Sequence, residues 1–168
     1  MTIIFDKSKK ISLDDESFRS ELLAIASKIE DVIPLGRGDP DFHTPKHIVE
    51  AAKRALDDNK HHYTPPNGLP ELRIAISKNL QEKYHLTYDE NEIVVTAGVQ
   101  ESIALAMLSL LETGDEVLIT SPRFTTYYLN VRMCNAKPIP IPTYEKNNFS
   151  LMPNIIEEKI NDKTKLIV

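Results

Sequence analysis

The stretch that decides the fold runs Ile93-Val94-Val95-Thr96-Ala97-Gly98-Val99-Gln100-Glu101-Ser102 and resumes at Val117-Leu118-Ile119-Thr120-Ser121-Pro122-Arg123-Phe124. Each half opens with a short β-branched run and passes through a small or polar turn. That pattern predicts a strand followed by a helix. Between the two halves, residues 99–111 carry a helical spacing of apolar positions, and Glu112-Thr113-Gly114-Asp115 turns the chain back. Further on, the sequence predicts a helix over 125–133, a strand over 137–141, a helix over 153–160 and a last strand over 165–168. Alternation of this kind means a largely parallel sheet flanked by helices.

Towards the amino terminus the pattern becomes helical. Phe18, Leu22, Ile25 and Ile29 share one helical face, and a Gly- and Pro-rich loop, Pro34 to Pro40, follows. Thr44-Pro45 reads as a helix start, with Thr44 as N-cap and Pro45 in the first turn, and Ile48, Ala51, Ala52, Ala55 and Leu56 lie along one side. Another helix starts at Pro70 and carries Leu72, Ala75, Ile76, Leu80 and Tyr84.

Composition narrows the function classes. The 168 residues have a formal net charge of −5 and no basic run, which argues against a nucleic-acid partner bound through its phosphates. The single cysteine, Cys134, has no intramolecular disulfide partner, and no Cys/His spacing resembles a zinc site. The start of the chain lacks the apolar stretch of a signal peptide, and the longest apolar-rich segment is too short to span a bilayer. A cytoplasmic protein is expected.

In open α/β sheets ligands bind beyond the carboxyl ends of the strands, so the turns after Thr96 and Thr120 are the places for chemistry. Gly98 lets the backbone approach a ligand, and the N–H groups of Val99 and Gln100, at the helix start, suit a phosphate. Taken alone, Gly98 is better explained by a tight βα turn. Phe124 could stack on a flat heterocycle or simply pack under the next helix, and Tyr127 and Tyr128 read as packing residues. No Walker A loop or dinucleotide fingerprint is present. His43, His47, His61, His62 and His85 have no partner acid at catalytic spacing and read as surface residues.

In combination these segments resemble the class I and II aminotransferases, pyridoxal-phosphate enzymes of fold type I. Leu35 to Phe42 is similar to the family's LGxGEPDF loop, with Asp39 for the usual Glu, and Tyr63 to Arg73 is similar to its YTPxxGxPELR segment. The resemblance implies the large domain of a fold type I transferase, a mostly parallel sheet between helices, over residues 41–168. It assigns residues 1–40 to an N-terminal arm and small-domain segment.

The resemblance further implies pyridoxal 5′-phosphate as cofactor, with its phosphate on Val99 and Gln100 and its ring stacked on Phe124. Tyr63 would reach the cofactor of a second subunit in a homodimer, and Gly38 would lie near the substrate carboxylate. Arg37, at a variable position of its loop, would face solvent or the dimer partner. Amino-group transfer between an α-amino acid and a 2-oxo acid is the implied reaction. The family's Schiff-base lysine lies beyond Val168, so the resemblance implies a truncated large domain with no catalytic residue of its own, inactive and marginally folded in isolation. A non-catalytic binding or regulatory subunit, or a helper in a split enzyme, is the alternative that the sequence leaves open.

Overall fold

The structure, a computed structural model, describes residues 21–33, 38 and 40–168. Phe18, Leu35 and Arg37 therefore lie outside the described residues. The chain divides into two compact units: one is residues 29–96, and the other holds residues 97–168 with the segment up to Lys28. Residues 21–26 are helical, and the chain turns at Ser27, so the helix ends before Ile29, the last of its predicted apolar positions. Among the described residues no helix is long and apolar enough to cross a membrane.

Residues 29–96 contain two α-helices, α1 (Lys46–Asp57) and α2 (Pro70–Tyr84). Pro45, not Thr44, occupies the N-cap position of α1. Its carbonyl accepts from Ile48 and Val49, while its ψ of 137° is still extended, and no side chain caps the helix. The fixed proline φ sets the first turn without a hydroxyl. At the other end Asn59 adopts a left-handed φ of 57°, and Lys60 and Asn59 donate to the carbonyls of Ala55 and Leu56. This closes the helix with a Schellman turn.

α2 begins with Pro70 in its first turn, as the sequence predicts, and ends at His85 with φ 58°. Arg73 is buried on it and donates from Nη1 to the Glu90 carbonyl at 2.7 Å, fixing the 3-10 turn Glu90–Glu92. The predicted strand at 93–96 does not form among the described residues. A strand needs a ladder, and Val95 instead donates a single backbone bond to the Asn67 carbonyl at 3.1 Å. Val94 is left exposed.

The other unit is the α/β layer: α3 (Val99–Leu110), β1 (Glu116–Ser121), α4 (Thr126–Met133), β2 (Lys137–Pro142), α5 (Pro153–Glu157) and β3 (Thr164–Ile167). The strands form one parallel sheet in the order β2-β1-β3. Central strand β1 buries Val117, Leu118 and Ile119 completely, the signature of a parallel strand covered on both faces. Met107, Leu111, Val117, Ile119, Val131 and Ala136 form the core, with Tyr127 and Tyr128 packed against it.

β2 carries prolines at 138, 140 and 142. Lys137 N–H donates to the Asp115 carbonyl and Thr143 N–H to that of Ser121, both at 2.8 Å, so odd-numbered residues face β1. The prolines fall on the even positions, where β2 has no neighbour among the described residues and a missing N–H costs nothing. Helix α5 stops earlier than the expected Ile160 because the chain must turn into β3. The Asn161 side chain accepts from Lys163 N–H at 2.8 Å and sets that turn.

Asn161 also donates from Nδ2 to the Glu116 carboxylate at 2.8 Å, and Lys137 Nζ lies 3.2 Å from the same group. Both hold the Glu116 carboxyl below its ordinary range, the Asn161 hydrogen bond most strongly. A lowered carboxyl pKa contributes stability above the ordinary glutamate range and loses it as pH falls through the folded value. Urea midpoints measured over roughly pH 5 to 3 should therefore fall in the parent, and the part of that fall due to Glu116 should vanish in Glu116→Gln.

Candidate functional site

Two turns at one end of the α/β layer build the site. In the first, Gly98 has φ 85° and ψ 169°, a conformation essentially restricted to glycine, and α3 starts at the next residue. The N–H groups of Glu101 and Ser102 turn back onto the Gly98 carbonyl at 3.2 and 3.4 Å. Those of Val99 and Gln100 lie ahead of that first intrahelical bond and are the outward donors of the helix. The Glu101 carboxylate accepts from Ala97 N–H, which ties the first turn to the residue before Gly98. A Cβ added at Gly98 would meet nothing within 4 Å, so the space over the turn is open.

The second turn follows β1. Phe124 is 49% exposed and stands edge-on to Tyr127, with ring centroids 5.9 Å apart. It is therefore not the buried core residue that its alternative reading required. Tyr127 and Tyr128 are packing residues, as expected, and the Arg123 guanidinium lies 3.4 Å over the Tyr128 ring. A hydrogen bond joins the two turns: Thr126 Oγ1 donates to Gln100 Oε1 at 2.6 Å. Nothing in the sequence singled out Thr126, because a contact across 26 positions leaves no local signal.

Tyr63 and Gly38 belong to the unit formed by residues 29–96. Tyr63 is fully exposed, and Gly38 is exposed with nothing within 4 Å of a built Cβ. The same unit carries a surface groove of about 590 Å³ along α2. Within it Lys78 pairs with Glu82 at 3.8 Å and Thr87 donates to Gln81 at 2.7 Å. All five histidines are exposed, and no group of metal-ligating side chains occurs among the described residues.

Helix-start N–H groups aimed at open space, beside a half-exposed aromatic ring on the adjacent turn, suit a phosphate monoester carried by a flat ring. These N–H donors and the aromatic ring fit pyridoxal 5′-phosphate at its phosphate and ring ends. The fold and these turns define a parallel α/β protein with one candidate ligand turn at the carboxyl end of its central strand and the other at the start of α3.

Residues 30–168 match the model of the family described as aminotransferase class I and II, and the chain belongs to that family. It is 47% identical to an aspartate aminotransferase of Pyrococcus horikoshii over 161 residues, covering 96% of this chain and 41% of that protein. Against aromatic-amino-acid aminotransferase 2 of Thermococcus litoralis it is 36% identical over 162 residues, 96% of this chain and 42% of the relative. The solved aspartate aminotransferase of Rhizobium meliloti superposes with a TM-score of 0.88 at 32% identity, over 98% of this chain and 42% of that one. The chain thus spans about 40% of the length of the relatives it matches. Its fold is that of the fold type I aminotransferases.

Proposed function

We propose that this chain supplies the phosphate turn and the ring-stacking residue of a pyridoxal 5′-phosphate-dependent aminotransferase that moves an amino group between an α-amino acid and a 2-oxo acid. The observation that carries this reading is the juxtaposition of the two turns, since Thr126 holds Gln100 beside the turn that presents Phe124. The bound cofactor would supply the electron sink that the reaction requires. Val99 and Gln100 hold the phosphate through their N–H groups, and Phe124 covers one ring face and keeps water from it. Gly38 lies near the substrate carboxylate, and Tyr63 extends to the cofactor of a second subunit in a homodimer. Residues 1–40 serve as arm and small-domain segment, residues 41–168 as part of the cofactor-binding domain, in a cytoplasmic enzyme. The relatives' names make aspartate and aromatic amino acids the first donors to test.

The test is a half-reaction. The intact enzyme that contains these residues, loaded with pyridoxal 5′-phosphate and given aspartate or an aromatic amino acid alone, should yield pyridoxamine 5′-phosphate and the matching 2-oxo acid, whereas residues 1–168 by themselves should not. Borohydride reduction of the loaded protein, followed by peptide mapping, should find no pyridoxyl group on any lysine of residues 1–168. Cofactor bound without amino-group exchange would overturn the assigned reaction, and a pyridoxyl group within those residues would overturn the absence of a catalytic lysine there.

A further inference from the structure

Resting on the phosphate-turn reading above, we infer that Thr126 is a positioning residue that orients the Gln100 carboxamide, presenting its NH2 group as a side-chain donor to the phosphate of the bound ligand. A glutamine amide has two unlike ends. Turned one way it offers N–H donors to an anion, and turned the other way it offers a carbonyl that an anion repels. The Thr126 hydroxyl could serve either end, but in the structure it donates to Oε1 at 2.6 Å, satisfying the carbonyl that an anion would repel and leaving the NH2 end for the anion. The Nε2 end has no partner among the described residues and stays available as a donor.

The backbone supports this role. Thr126 is the first residue of α4 and Gln100 the second of α3, so each side chain leaves the opening turn of its own helix. Threonine is stiff at χ1, which fixes the hydroxyl in space. Gln100 is exposed, and a free glutamine side chain loses rotamer entropy when a ligand immobilises it. Its tie to Thr126 removes part of that cost before the ligand arrives.

Calorimetric titration of cofactor-free protein with pyridoxamine 5′-phosphate, and separately with pyridoxamine, tests the inference. Thr126→Val should weaken the phosphorylated ligand about five- to tenfold, the loss of orientation in one charge-assisted hydrogen bond. It should leave pyridoxamine unchanged. Thr126→Ser, which keeps the hydroxyl, should retain affinity, and Thr126→Val should add nothing in a Gln100→Ala background. If the valine variant fails to fold, Thr126→Ser against Thr126→Ala makes the same comparison one hydroxyl apart.

Equal weakening of both ligands, an unchanged Thr126→Val, or additive effects of the two variants would overturn the positioning role while leaving the phosphate turn intact. A parent protein that does not distinguish the two ligands would overturn the phosphate-turn reading and this inference with it.

Discussion

Gly68→Ala is expected to destabilise the unit formed by residues 29–96 by about 3 kcal/mol or more, combining backbone strain with overpacking. Gly68 has φ 98°, where an L side chain is strained whatever the space around it. The space is also filled: a Cβ at Gly68 would stand 2.7 Å from both Cβ and Cγ2 of Val95. Cβ cannot swing aside as the end of a flexible chain can, so the 93–96 segment must move. That movement breaks the Val95-to-Asn67 backbone bond, which ties this segment to the Asn67-Gly68 turn.

Hydrogen exchange should show faster exchange through residues 67–96, together with a lower urea midpoint. Adding Val95→Ala removes Cγ2 but leaves Cβ in place, so it should restore only part of the loss. Full restoration would show that the φ strain and the Cβ contact do not count.

The second large effect is expected in the sheet. Ile119 is fully buried in the central strand, within the core shared with Met107, Leu111 and Val131. Ile119→Ala should cost about 2–5 kcal/mol through lost burial and the cavity left behind. Ile167→Ala, at a position 49% exposed on β3, should cost much less. Equal urea midpoints for the two variants would mean that β1 is not the packed centre described here. The strand also sets the turn that carries Phe124, so the core variant should lose pyridoxamine 5′-phosphate affinity together with stability, whereas Ile167→Ala should retain both.

Elements with dense local signals were legible in the sequence. The apolar run of β1, the helix opened by Pro70 and the helix after Gly98 all form where their residues place them. Residues 93–96 have the composition of a strand, but composition does not supply a neighbour, and the ladder is absent among the described residues. Thr44-Pro45 misled for a related reason: a threonine before a proline is a capping pattern, yet the proline itself takes the cap position. At the site, Gly98 and Phe124 were legible as a turn glycine and an aromatic at a strand end. Thr126 was not, since its partner is reached only once the sheet has brought the two helix starts together.

The prolines of β2 have an effect on assembly. A sheet edge normally offers N–H groups on which another molecule's strand can build, and a molecule with two such edges can be extended without limit. Here the outer side of β2 offers prolines at the positions where those groups would project, so it acts as a chain terminator. Among the described residues the one edge left to accept a strand is that of β3. No strand, whether from this protein or from another molecule, can be added on the β2 side, so lateral growth of this sheet is confined to its β3 side.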